Sequence, residues 1–329
     1  MIRFGLIGAG RIGKVHALAV QAVPNALITA VADVVPAAAE ALAQQLGAQV
    51  VSIEEMFNSS HVDAYIIASS TDTHADYLMR CAEVGKPVFC EKPLDLSYER
   101  AQRCSEAVQK AGVPCMLGFN RRFDPQFSTL KQHLQAGTIG KLETLIITSR
   151  DPAPPPVTYI KVSGGIFRDM MIHDFDMARW LLDEEPTRVY AVGSALVDPA
   201  IGAAGDVDTA SVTLSTASGK IAVITNSRRA TYGYDQRIEA FGEKGMLQAN
   251  NQLENTLLFA GTEGVMTAKP QHFFLERYAD AYRIELTQFV QALQQDTQMP
   301  TTEQDGLQAL RLADAAYESW KSGQPVDLT

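Results

Sequence analysis

Over the first 122 residues, apolar and polar positions alternate between short, continuously apolar runs and longer stretches with helical spacing. The runs Ile2 to Ile7, Leu27 to Ala32, Val62 to Ala68, Pro87 to Cys90 and Val113 to Phe119 read as strands buried on both faces, the pattern of a parallel sheet. Among the helical stretches, one closes at Gly85 and another, Ser97 to Ala111, at Gly112, while Ser52-Ile53-Glu54-Glu55 has the form of a capping box. Asp124-Pro125 offers an N-cap and a first-turn proline to a helix that Gly137 ends. The prediction is an α/β N-terminal domain over 1–122, built on a doubly wound parallel sheet.

From 123 to 329 the pattern changes to that of an α+β domain, assigned to substrate binding and oligomerisation. Leu142 to Ser149, Arg188 to Leu196, Thr209 to Ser215, Ile221 to Asn226, Gln236 to Gly242 and Gly245 to Ala249 alternate as strands of one large, mostly antiparallel open sheet. Ala217-Ser218-Gly219 reads as a hairpin loop. Asp151 to Tyr159, with four prolines, is expected to be stiff and extended, and Ile201 to Gly205 to be mobile. Phe273 to Gln295 and Thr301 to Trp320 are amphipathic helices, the second opened by a capping box at Thr301 and Gln304. Such helices normally cover one face of the sheet. The other face would expose a large apolar patch unless it met a partner, so a sheet-to-sheet homo-oligomer is expected.

Candidate chemistry begins at Gly8-Ala9-Gly10-Arg11-Ile12-Gly13, between the first strand and its helix. Gly8 permits a tight turn, Gly10 a close approach to a pyrophosphate and Gly13 the packing of helix on strand, with the helix N-terminus facing the phosphates. The second strand ends at Asp33, placed to accept hydrogen bonds from the ribose hydroxyls of NAD and to repel the 2′-phosphate of NADP. NAD in a Rossmann domain is therefore expected. Ser69, Thr71 and His74 follow a strand's carboxyl end, where such sheets bind ligands; Thr73 in the same loop serves equally well as a helix cap. Glu91-Lys92-Pro93 ends the next strand. The proline restricts Lys92 and would aim its ammonium at the cofactor, although a solvated lysine fits the tripeptide alone. Glu91 and Lys92 join the candidate cofactor contacts.

Asp169 and His173 lie four apart in a stretch expected to be helical from about Gly165 to Leu182, so a carboxylate and an imidazole share one face. Alone, that spacing suggests an amphipathic helix with both groups in solvent. With the glycine loop and Lys92 it suggests alcohol oxidation, with His173 as general base, Asp169 orienting it and Lys92 stabilising charge on the substrate oxygen. Zinc on Asp169 and His173 with His74 or Asp174 lacks a third ligand at a defined spacing. No metal is expected.

The chain has 329 residues, 46% hydrophobic and 20% charged, ordinary for a globular protein and long enough for two domains. A formal net charge of −10 disfavours nucleic acid and anionic membranes as partners. Cys81, Cys90, Cys104 and Cys115 show no Cys-x-x-Cys spacing and read as buried free thiols. With no secretory pattern after Met1 and no membrane-length apolar run, a cytoplasmic protein is expected.

Gly8 to Gly13, Glu91-Lys92-Pro93-Leu94 and Gly165 to Asp176 resemble the three signatures of the glucose-fructose oxidoreductase, inositol dehydrogenase and MocA family, and the resemblance spans essentially the whole chain. Phe119 to Asp124, Arg150-Asp151-Pro152, Tyr232 to Asp235 and Tyr278 to Tyr282 are most similar to its inositol 2-dehydrogenase branch. The resemblance implies a Rossmann domain, a large open sheet and usually a homotetramer. It assigns Lys92 to the substrate oxygen and Asp169 and His173 to proton transfer, and points by position to Asn120, Arg121, Asp151 and Tyr234 for substrate hydroxyls. It implies NAD-dependent oxidation of myo-inositol, with scyllo-inositol, an aldose or another polyol as alternatives, and a non-catalytic dinucleotide sensor as a third reading.

Overall fold

The structure is a computed structural model that describes residues 1–328. The chain gathers into two compact units, one of Met1–Phe123 with Asp280–Leu310, the other of Asp124–Ala279 with the residues from Arg311 on. In the first unit the expected alternation is present: β1 (Ile2–Ile7), α1 (Arg11–Gln21), β2 (Ala26–Ala32), α2 (Pro36–Leu46), β3 (Gln49–Val50), α3 (Ile53–Asn58), β4 (Ala64–Ile67), α4 (His74–Val84), β5 (Val88–Glu91), α5 (Tyr98–Ala111) and β6 (Cys115–Gly118). All six strands are parallel, in the order β3-β2-β1-β4-β5-β6. Every residue of β4, β5 and β6 is buried, so these strands carry apolar side chains on both faces. Strand order reverses between β1 and β4, and the loops beyond their carboxyl ends flank the crevice where such sheets take ligands. Ser52 and Glu55 form the expected capping box, and Gly85 and Gly112 close α4 and α5 in the left-handed conformation.

The second unit begins with α6 (Pro125–Gln135), capped by the Asp124 carboxylate on the Gln126 and Phe127 N–H groups. Next come β7 (Leu142–Arg150), α7 (Val157–Ser163), α8 (Ile172–Leu182), β8 (Pro186–Ser194), α9 (Pro199–Ala203), β9 (Thr209–Thr216), β10 (Ile221–Ser227), β11 (Asp235–Gly242) and β12 (Gly245–Ala249). These strands form a sheet in the order β12-β11-β7-β10-β9-β8, antiparallel except for the pairing of β7 with β10. One face is core: Leu145, Ile147, Val189, Ala191, Val212, Leu214, Ile224 and Ile238 are buried. The opposite face exposes Ile146, Tyr190, Val192, Ile221, Phe241 and Met246.

Several expectations are corrected here. Ile201 to Gly205 is not an irregular tract throughout: Ile201 to Ala203 lie in α9, which is capped by Asp198 and seats Ile201 fully in the core. The extended proline loop stops at Pro156, and Tyr159 lies in α7. After β12 a two-stranded ribbon, β13 (Leu258–Gly261) and β14 (Gly264–Thr267), was not anticipated; its side chains are all exposed, so no buried face marks its register. Phe273 to Gln295 divides into α10 (Phe274–Arg277) and α11 (Ala279–Gln295). Apart from its first residue α11 belongs to the first unit, where Phe289 packs on Phe4 and Phe89 at ring distances of 6.0 and 5.9 Å. The last helix, α12 (Glu303–Ser322), is capped one residue later than expected, Thr302 pairing with Asp305. Thr301 instead donates its hydroxyl to the Leu117 carbonyl of β6 at 2.6 Å. A short β15 (Val326–Asp327) adds to β8. Among the described residues no helix is long and apolar enough to cross a membrane, and all four cysteines are free and buried.

Candidate active site

At the carboxyl end of β1 the chain turns at Gly8 with φ +104°, where a Cβ would stand 2.4 Å from the Ala68 carbonyl oxygen. A Cβ on Gly13 would meet the Gly8 carbonyl oxygen at 2.0 Å, so helix and loop close up only with glycine at both positions. Around Gly10 a Cβ would meet nothing within 4 Å. That open space lies at the N-terminus of α1, which has no side-chain cap and no acidic residue in its first turn, as a pyrophosphate cradle requires. Arg11 and Ile12 are the first two helical residues. Asp33 accepts the Ala9 N–H at 2.6 Å and the Val35 N–H at 2.7 Å, one on each oxygen. Since each carboxylate oxygen has a second acceptor site, Asp33 can hold the glycine loop and still receive ribose hydroxyls. These features fit a dinucleotide.

The loop after β4 makes a single 3-10 turn, Thr71–Thr73, and the Thr73 hydroxyl lies 2.7 Å from both the Ser69 hydroxyl and the Ser70 carbonyl oxygen. Ser69 and Thr71 remain partly exposed at the crevice. His74 is buried, with Nδ1 2.7 Å from the Pro93 carbonyl oxygen and Nε2 3.2 Å from that of Ser69. Burial outweighs those bonds and lowers its pKa. Its ring therefore braces the loop after β4 against the Glu91-Lys92-Pro93 turn, where the Lys92-Pro93 peptide is cis. Glu91 is buried and Lys92 partly exposed. Asn120 and Arg121, both buried, form a 3-10 turn just after β6.

In the second unit, the stretch carrying Asp169 departs from the α-helix expected from Gly165. Gly164 and Gly165 have φ of +88° and +76°, Ile166–Met170 winds as a π-helix with the Met171 N–H on the Ile166 carbonyl at 2.8 Å, and α8 starts only at Ile172. Single π turns recur at functional sites. The Ile166 N–H donates to Asp206, whose pKa burial raises. Asp169 accepts the Tyr159 hydroxyl at 2.9 Å and faces the guanidinium of fully buried Arg228 at 3.4 Å, so it is set up as a held hydrogen-bond acceptor. His173 follows, partly exposed, on the first turn of α8. Asp174, weighed above as a metal ligand, accepts instead from Ser149 at 2.5 Å and from Asn226 at 3.0 Å. It thereby pins the start of α8 to β7 and β10.

Asp151 follows β7 and is fixed by its N–H to the Ser227 carbonyl at 3.0 Å. Tyr234 is buried edge-on to Tyr278, at a ring distance of 6.0 Å. Beside it, Asp235 is fully buried; burial raises its pKa, but bonds from Arg237, Tyr232 and Asn251 outweigh that and leave it lowered. Arg228, Ser149 and Asn226 were missed in the sequence because their partners, Asp169 and Asp174, lie 25 to 59 residues away in the chain, and no local spacing signals them.

Residues 2–119 match the oxidoreductase family with an NAD-binding Rossmann fold, and residues 127–248 match the GFO/IDH/MocA C-terminal domain. The chain belongs to the GFO/IDH/MocA family. It is 53% identical to the inositol 2-dehydrogenase of Rhizobium meliloti, over 97% of this chain and 96% of that protein, and 46% identical to the myo-inositol 2-dehydrogenase of Thermotoga maritima, over 99% and 98%. The myo-inositol dehydrogenase of Lactobacillus casei, solved in complex with NAD(H) and myo-inositol, superposes with a TM-score of 0.89 at 26% identity, covering 100% of this chain and 97% of that one. The scyllo-inositol dehydrogenase of the same organism, with NAD(H) and scyllo-inositol, gives 0.93 at 30%, covering 99% of each. The first unit carries an NAD-binding Rossmann domain, and its glycine loop suits NAD.

Proposed function

We propose that the chain is an NAD-dependent inositol 2-dehydrogenase, oxidising myo-inositol to 2-keto-myo-inositol (scyllo-inosose). The observation that carries this reading is the nearly full-length 53% identity to the Rhizobium meliloti inositol 2-dehydrogenase. Bound NAD supplies the hydride acceptor. His173 takes the hydroxyl proton as the carbon–hydrogen bond gives up its electron pair, so the alcohol loses one hydride and one proton and becomes a ketone. Asp169, held by Tyr159 and Arg228, orients the imidazole. Lys92 stabilises negative charge developing on the oxygen. Gly8, Gly10, Arg11, Ile12 and Gly13 hold the pyrophosphate and Asp33 the ribose, with Ser69, Thr71, His74 and Glu91 shaping the crevice. Asn120, Arg121, Asp151 and Tyr234 address the remaining hydroxyls.

The reading is tested by the initial rate of NADH formation with myo-inositol, scyllo-inositol, glucose, galactose and xylose, repeated with NADP. A clear preference for myo-inositol with NAD is expected. Preference for scyllo-inositol, an aldose or another polyol would overturn the substrate, and NAD binding without turnover of any of them would favour a dinucleotide sensor. We further propose a cytoplasmic homotetramer assembled through the open sheet face, on the ground that Ile146, Tyr190, Val192, Phe241 and Met246 are exposed there together. Light scattering should give four times the mass of the chain, and a monomer would refute the assembly.

A further inference from the structure

His16 has no part in the scheme above, yet it is a fully buried polar side chain in α1, the helix that the glycine loop opens. Its Nε2 lies 2.6 Å from a carboxylate oxygen of Glu91, the residue before Lys92. The ring is edge-on to Phe89 at 4.9 Å and to Tyr282 at 5.6 Å, and Nδ1 has no hydrogen-bond partner. The tautomer with its proton on Nε2 donates to Glu91 and leaves Nδ1 a bare lone pair, so that no buried N–H goes unpaired. An apolar side chain would fill this aromatic niche without the cost of burying polar groups, so core packing does not account for the pair. Its geometric effect is on Glu91. From the other side Gly118 closes in, since a Cβ there would lie 3.2 Å from the Glu91 carboxylate. Across the turn, His74 holds the Pro93 carbonyl at 2.7 Å. Both neighbours of Lys92 are thus fixed by buried histidines, from α1 and α4.

We propose that His16 is a positioning residue for Lys92, acting through Glu91 to register the lysine to the helix that opens at the cofactor's phosphates. This rests on the assignment of Lys92 to the substrate oxygen. The test compares His16→Leu, His16→Gln, Gly118→Ala and Lys92→Met in the full chain, by kcat, KM for myo-inositol, NAD affinity and thermal midpoint. Since small misplacements of a reacting group cost up to about a hundredfold in rate, His16→Leu should lose about ten- to a hundredfold in kcat, with NAD affinity within about threefold. His16→Gln, which can place an N–H near the position of Nε2, should recover most of that rate. Gly118→Ala pushes Glu91 while leaving His16 in place, and should lower kcat even if His16→Leu fails to fold. A folded His16→Leu or Gly118→Ala variant with unchanged kcat would overturn the proposal, as would Gln performing no better than Leu. If Lys92→Met itself keeps normal kcat, the assignment of Lys92 fails first and the proposal with it.

Discussion

The two sheets solve the same burial problem differently. In the six-stranded sheet β4, β5 and β6 are buried along their whole length, and the distinctive geometry lies in the loop at the end of β1, where glycines at 8 and 13 admit no Cβ. In the sheet of the second unit β9 and β10 alternate buried with more exposed positions, and polar side chains on the strands themselves, Ser149 and Asn226, pin the helix of His173 through Asp174. The first sheet shapes a cofactor site with backbone and space. The second pins the helix of His173 with buried hydrogen bonds, and its opposite face exposes apolar side chains.

If labour is divided in this way, substitutions in the two units should separate binding from chemistry. The largest effect is expected for His173→Ala: loss of a general base costs about 10²- to 10⁴-fold, read in kcat, with NAD affinity measured by titration nearly unchanged. Loss of NAD binding together with activity would break the separation. Phe289→Ala removes a fully buried ring that packs on Phe4 and Phe89, and should destabilise the first unit by about 3–5 kcal/mol in denaturant unfolding. A loss under 1 kcal/mol, on the order of a surface substitution, would show that α11 is not part of that core.

Asp33→Ser should relax discrimination against NADP by about tenfold or more through loss of charge repulsion with the 2′-phosphate, measured as the ratio of kcat/KM for the two cofactors. An unchanged ratio would remove Asp33 from the ribose site. The smallest effect concerns Asp63, whose hydrogen bonds and ion pair with Arg3 hold its pKa down at about 2. A lowered folded-state pKa adds stability above the unfolded value near 3.9 that is lost as pH falls through the folded one. Since both groups are more than a third exposed, that contribution should be under about 1 kcal/mol. The urea midpoints of wild type and Asp63→Asn should differ slightly at pH 5 and converge as pH approaches 2; a constant difference would exclude the linkage.

The sequence displayed whatever depends on local chemistry. The glycine loop, the Ser52 capping box, the Asp124 cap and the alternating strands were legible because each is set by residues within a few positions of one another. Amphipathicity announced that α11 has an apolar face, but not that Phe289 would meet Phe4, almost the whole chain away. The π turn before α8 was hidden because it depends on Gly164, Gly165 and the distant Asp206 acceptor. Arg228 lies 59 residues from Asp169, and Thr301 was misread as a cap because its acceptor, the Leu117 carbonyl, belongs to another element.

The central claim is that hydride leaves C2 of myo-inositol for NAD. A single turnover with myo-inositol deuterated at C2 and excess enzyme tests it directly. The account predicts NADH carrying one deuterium at the reduced ring carbon, with the label absent from the ketone product. Unlabelled NADH, or none at all despite saturating NAD, would contradict it.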